Sequence, residues 1–298
     1  MQKKIIIHSA SKKRKWEDFI SINSYETNVL ELVIDLSSCN FLEPSDIVQM
    51  ACLIEQYYQK RVKISFIQSK TPALNKYLSS INFINYWTPN FERPNYSQSL
   101  KTTHLYLWKL SKEHLTPYVS HAKEYFENNI SVEPRVDFYP LYVTLSELFN
   151  NILDHSMSQV SGYTTCQFYP NLSKLRIAVC DLGIGIPTAV NNFLSKEANE
   201  SLSSVDALKR AFDNGFSTQS TPRNRGYGLS TLKSIVKNCN GSLKVTSNNA
   251  IMTIQPNSNE ERFEEIQQNF QGTIFNITLD TTTFEPKDNI ILENEFIY

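Results

Sequence analysis

Apolar and polar positions alternate with two different periods along this chain. In the first third, short apolar runs over 5–8, 30–36 and 62–67 read as strands. Between the last two, Ile47, Met50, Ala51, Ile54 and Tyr57 recur at helical spacing and predict a helix over 45–60 with one buried face. A second helix is expected near 73–80, so this part reads as β then β-α-β-α, an α/β unit. Ser45, followed by Asp46, is the expected helix N-cap. Residues 88–100 (TPNFERPNYSQSL) carry two prolines among polar residues and read as a linker. Beyond them Leu115, Tyr118, Val119, Ala122, Tyr125 and Phe126 mark a helical stretch over 111–129 that leads into a second half.

The next helix, predicted over 141–157, carries chemistry. At one hundred degrees per residue, Leu141, Leu145, Leu148, Phe149, Ile152 and Leu153 fall on one side, while Glu147, Asn150, Asn151 and Asp154 gather within about a third of the circumference opposite. No lysine or arginine occurs between Arg135 and Lys174, which an ordinary solvated face would include. A hard amide oxygen at Asn151 suits Mg²⁺, which keeps most of its waters. Glu147, one turn away, is suited to orient or deprotonate a water aimed at a γ-phosphate. Asn150 and Asp154 stand behind these two or face solvent, and His155 reads as a structural hydrogen bonder at the helix end.

Two glycine motifs follow. A strand over 174–180 runs into Asp181, Leu182, Gly183, Ile184 and Gly185. An ionised aspartate there accepts from an amino group such as that of adenine, and Gly183 and Gly185 let a base approach the backbone. Further on, Arg225, Gly226, Tyr227 and Gly228 precede an apolar-periodic helix over 229–238. Free amides at its start, through Gly228, Leu229 and Ser230, form an anion site, and Arg225 and Arg223 are placed to reach phosphate oxygens. The polar stretch 188–223 has the character of a lid. All eight glycines lie at or beyond Gly162, which concentrates backbone freedom in this half.

Composition narrows the class. With 298 residues and 41% hydrophobic content the chain is long enough for two domains, and its formal charge of −1 calls for no polyanionic partner. The one basic run, Lys12 to Lys15, reads as a solvated loop, so neither nucleic acid nor membrane is expected as a partner. Five cysteines without a CxxC pair indicate a reducing compartment. The absence of a signal-like leader or a long apolar run adds the expectation of a soluble cytoplasmic protein.

Two resemblances follow from these residues. VIDLSSCNFLEPSDIVQMACLI, KRVKISFI and LNKYLSSINF, within about 28–90, are similar to the STAS domain of anti-sigma factor antagonists. Pro44 stands at that family's phosphoacceptor position, with Ser45 beside it. More specific is the resemblance of about 135–280 to the GHKL ATPase superfamily, which includes histidine kinase ATP-binding domains, Hsp90, type II topoisomerases and MutL. ELFNN matches its N box, DLGIG its G1 box and GYGL its G2 box. GFST over 215–218 resembles the segment ahead of the kinase lid, and Gly272 and Thr273 the closing G3 element. Ser230 stands where kinase-like members continue with a glycine.

That resemblance implies Glu147 as general base, Asn151 as Mg²⁺ ligand, Asp181 as adenine reader and Thr273 as a helper at adenine through water. The implied organisation is a STAS-like regulatory domain over 1–95 and a connecting segment over 96–134. A Bergerat α/β sandwich over 135–280 follows, with a mixed sheet and helices on one face, and then a tail over 281–298. The implied cofactors are ATP and Mg²⁺. The implied role is a signalling kinase or ATPase switch, related to serine kinases of partner switching, with a regulatory protein partner and a homodimer as further expectations. Two alternatives stay open: a non-catalytic nucleotide-binding interaction protein, and a histidine kinase remnant. For the latter, His114 and His121 lack a following acidic residue and lie close to Glu147.

Overall fold

The structure is a computed structural model that describes residues 2–8, 29–88, 91, 103–113, 115–130, 138–155, 158, 160, 162–218, 228–258 and 260–284. The first unit comprises β1 (Gln2–His8), β2 (Glu31–Ser38), α1 (Pro44–Tyr58), β3 (Lys63–Ile67) and α2 (Pro72–Ser80). Its three strands are parallel in the order β1-β2-β3. The strands and helices lie within a few residues of their expected bounds.

The start of α1 differs from expectation. Glu43 is the N-cap and Pro44 takes the first helical position, where its missing N–H costs nothing. The Asp46 carboxylate accepts from the Glu43 amide at 2.9 Å. Ser45 is therefore buried in the first turn instead of capping it.

The second half holds β4 (Trp108–Lys109), α3 (Leu115–Asn129), α4 (Tyr139–His155), β5 (Tyr163–Tyr169), β6 (Lys174–Asp181), α5 (Ile186–Glu197), α6 (Ser204–Ala211), α7 (Gly228–Asn238), β7 (Ser242–Ile254) and β8 (Glu261–Asp280). Five strands form one sheet in the order β4-β5-β6-β8-β7. The mixed sheet that was expected is corrected: among the described residues every pairing in this sheet is antiparallel. Chain order explains two of these pairings, since β5–β6 and β7–β8 are sequential neighbours joined by short connections that reverse direction.

Pleating sends alternate residues of β6 to opposite faces. Leu175, Ile177 and Val179 join a core with α3, α4, α6 and α7. Ala178 and Cys180 join a different core, made with α1 and β2. The half's own helices thus share one face, as expected, and the other face is taken by α1. This helix is buried nearly all round, from Pro44 to Tyr57, because it lies between the two sheets. Its one fully buried carboxylate, Glu55, receives the Lys109 ammonium at 2.6 Å and the Tyr163 hydroxyl at 2.7 Å. Arg176 on β6 donates to Glu43 at 2.8 Å at the other end of the helix. The first unit shares its core with the antiparallel sheet.

Candidate functional site

α4 presents the helical face read from the sequence. Leu141, Leu145, Leu148, Phe149 and Ile152 are buried, Glu147 and Asn151 are half-buried, and Asn150 is exposed. Partial burial pushes the Glu147 carboxyl above its ordinary range. No cation among the described residues pairs with it. α7 crosses this face at its first residue. A Cβ on Gly228 would lie 2.7 Å from Glu147 Oε2, 3.1 Å from Glu147 Cβ and 3.6 Å from Asn151 Nδ2. Only a glycine lets the two helices approach this closely. The first and third motifs are thereby brought together, with the amide-bearing end of α7 against Glu147 and Asn151.

The second motif closes β6. Asp181 pairs in register with Thr273 of β8, so both side chains lie on the Val179 and Phe275 face, the face that carries α4 and α7. Asp181 is buried, and its Oδ1 accepts from the Gly183 amide at 2.7 Å. Burial pushes its carboxyl up to about 7, outweighing the backbone amides of Gly183 and Thr273 that favour the charged form. Two glycines are forced here. Gly272 has φ +95° and lies against the Asp181 carbonyl and Leu182 Cα. Gly185 has φ +81°, caps α5, and faces the Asn248 side chain.

Asn248 and its neighbour Ser247 were not found from the sequence. At a register shift in β7, Asn248 takes φ +49°. Its amide nitrogen donates to the Ile184 carbonyl at 3.0 Å, and its oxygen accepts from the Thr188 hydroxyl at 3.2 Å. Ser247 accepts from the Ile186 amide at 2.8 Å. Together they hold the loop that follows Asp181. The Asn-Asn pair inside an otherwise strand-like run was the available signal for a bulge.

The other site expectations divide. Leu229 is half-buried against the apolar core, and Ser230 donates to Asn214 at 3.3 Å, linking the first turn of α7 to the GFST segment. Arg225, Gly226, Arg223 and His114 lie outside the described residues, as do the side chains of Asp154 and His155 and the tail beyond 284. Within the segment 188–223 that was expected as a lid, the described residues hold α5 and α6. α6 buries Ala207, Leu208 and Ala211 and is capped by Ser203, whose hydroxyl accepts from the Asp206 amide at 3.0 Å. Polar composition concealed a narrow apolar stripe on each helix.

Residues 137–283 match the family model of the histidine kinase-, DNA gyrase B-, and HSP90-like ATPase. This segment is a GHKL-type HATPase_c domain. The HATPase_c domain supports an ATP-binding ATPase or kinase, a class that binds ATP usually with Mg²⁺. Its matched span begins just before α4 and ends just after β8, and the first unit lies outside it. No curated protein matches the chain. Among the described residues no helix is long and apolar enough to cross a membrane.

Mg²⁺ fits the residues around Asn151 in one way. Among the described residues no group of three His, Cys, Asp or Glu side chains is placed to hold an ion alone. An ion at the Asn151 amide oxygen would draw its remaining ligands from phosphates and water, as Mg²⁺ commonly does.

Proposed function

We propose that the chain is a Mg²⁺-dependent, ATP-operated regulatory ATPase or protein kinase of a cytoplasmic signalling system. The observation that carries this reading is the contact of Gly228 with Glu147 and Asn151, on the sheet face that also bears Asp181 and Thr273. In this reading Asp181 accepts from the adenine amino group, with Gly183 and Gly185 giving the base room. Gly226, Gly228, Leu229 and Ser230 present backbone amides to the phosphates, and Arg225 adds charge. Asn151 holds Mg²⁺, which when bound neutralises charge on the phosphate oxygens. Glu147, which pairs with no cation among the described residues, takes the proton from the attacking water or hydroxyl.

The STAS-like unit is the internal regulator in this reading. Its support is α1, buried between the two sheets behind β6. The resemblance to partner-switching kinases favours a serine of a partner protein as acceptor, an analogy of fold. The test is one preparation in which ATP affinity is titrated with and without Mg²⁺ while phosphate release and phosphotransfer are followed. Mg²⁺-dependent binding with turnover is expected. Tight binding with neither product would favour the non-catalytic interaction protein, and absence of ATP binding would end the reading.

A further inference from the structure

Asparagine is followed by glycine at two places, Asn214–Gly215 and Asn240–Gly241. In such a pair the glycine amide nitrogen can close a succinimide ring on the asparagine side-chain carbonyl carbon, because the following residue has no Cβ to obstruct the approach. The attack needs a backbone N–H that is not already engaged and room for the asparagine side chain to turn. The fold treats the two pairs oppositely. The Gly241 amide donates to the Val236 carbonyl at 2.8 Å, and a Cβ on Gly241 would run into the Thr278 and Val236 carbonyls. The Asn240 side chain is itself held by the Asn257 amide at 2.7 Å. Asn214 and Gly215 instead lie exposed at the centre of a turn that the Phe216 amide closes on the Asp213 carbonyl at 3.2 Å. The Gly215 N–H makes no hydrogen bond among the described residues, and a Cβ built there would meet nothing within 4 Å. Among the described residues, the Ser230 hydroxyl at 3.3 Å is the one group that restrains the Asn214 side chain.

We propose that Asn214 is a site of spontaneous deamidation in the folded protein, with water as the co-reactant. The Gly215 nitrogen gives up its proton and bonds to Asn214 Cγ, and the side-chain nitrogen leaves with a proton as ammonia, giving a succinimide. Water then opens the ring at either carbonyl and leaves aspartate or isoaspartate at position 214. Nothing is oxidised or reduced. Both products carry a carboxylate, and isoaspartate also moves a side-chain methylene into the main chain. The new charge arrives where Ser230 ties this turn to the first turn of α7, a helix end whose amides attract anions. One consequence rests on the phosphate-binding reading of α7 given above: the carboxylate opposes the nucleotide phosphates, so the modified chain binds ATP less tightly.

The experiment is peptide mapping by mass spectrometry of the full chain held at mildly alkaline pH, folded and in denaturant, for wild type and Asn214→Gln. In the folded wild type, the peptide containing Asn214 is expected to gain about one mass unit, the difference between an amide NH₂ and a hydroxyl, well before the peptide containing Asn240. Asn214→Gln, which needs a larger ring, should leave its peptide unchanged. In denaturant Asn214 and Asn240 should convert at similar rates. A folded chain in which Asn214 converts no faster than Asn240 overturns the proposal, as does the same mass gain in Asn214→Gln. A difference that persists in denaturant belongs to the neighbouring sequence and overturns the role given to the fold. ATP titration of Asn214→Asp reads the consequence, with affinity expected to fall about two- to fivefold. Unchanged affinity overturns that consequence, and failure of wild type to bind ATP overturns the nucleotide reading, while the mass map decides the modification independently of both.

Discussion

The thiol of Cys52 on α1 donates to the carbonyl oxygen of Cys180 on β6 at 3.3 Å, one residue before Asp181. The first unit thus touches the strand that ends at the candidate base pocket. α1 contributes to a core containing Tyr163, Ala178, Cys180, Leu182 and Ile274, so neither half buries this surface alone. One cooperative transition is expected, with the fluorescence of Trp87 and Trp108 and far-ultraviolet circular dichroism coinciding. Two separated transitions would show that the halves are independently stable.

Glu55 makes the same dependence measurable. With its carboxylate buried and paired to Lys109 and Tyr163, Glu55→Ala leaves the buried Tyr163 hydroxyl and the partly exposed Lys109 ammonium without their partner and is expected to cost about 1–3 kcal/mol. Glu55→Gln, which keeps the shape and a hydrogen-bond acceptor, is expected to cost less. Denaturant titration of both variants orders them, and equal stabilities would remove the ion pair as the cause.

Asp181 gives a pH signature. Its folded value of about 7 lies above the ordinary 3.8, so the folded state binds more protons between these values. Stability of the nucleotide-free protein from this group is fully present below about pH 4 and is lost as pH rises toward 7. The adenine amine requires the ionised form, so ATP binding at pH 6 is expected to release a proton and affinity to rise with pH up to about 7. Calorimetry in buffers of different ionisation enthalpy reads the proton directly. Asp181→Asn should abolish the release, and a variant that still releases it assigns the proton to another group.

On α4, binding and turnover are expected to separate. Glu147→Gln keeps nucleotide and loses turnover by about 10²-fold or more, whereas Asn151→Ala loses the Mg²⁺-dependent part of binding. Wild-type turnover in both variants would reduce this polar face to surface.

Gly228→Ala probes the helix contact. A methyl group 2.7 Å from Glu147 Oε2 forces Glu147 or α7 to move. The expected outcome is a modest loss of stability, about 1–3 kcal/mol, with a disproportionate loss of turnover. A variant with normal turnover would show that Glu147 has room to shift without consequence.

The sequence by itself determined the local features: the apolar and polar sides of α4, the strand running into Asp181, and the first unit's strands and helices. Each is encoded by neighbours within one or two turns or by alternation along a strand, so it is readable without the fold. The glycines of DLGIG and GYGL were legible as places of close approach, though not what approaches them. That Gly185 faces Asn248 and Gly228 faces Glu147 depends on pairing between distant segments. Tertiary structure also decided that α1 is buried between two sheets, because periodicity reports an apolar face and not what covers it. It likewise placed α5 and α6 within the segment expected as a lid, two helices whose few buried residues are outnumbered by polar ones. Ser247 and Thr273 illustrate the limit most directly, since two hydroxyls far apart in the chain come within hydrogen-bond reach only when β7 and β8 lie side by side.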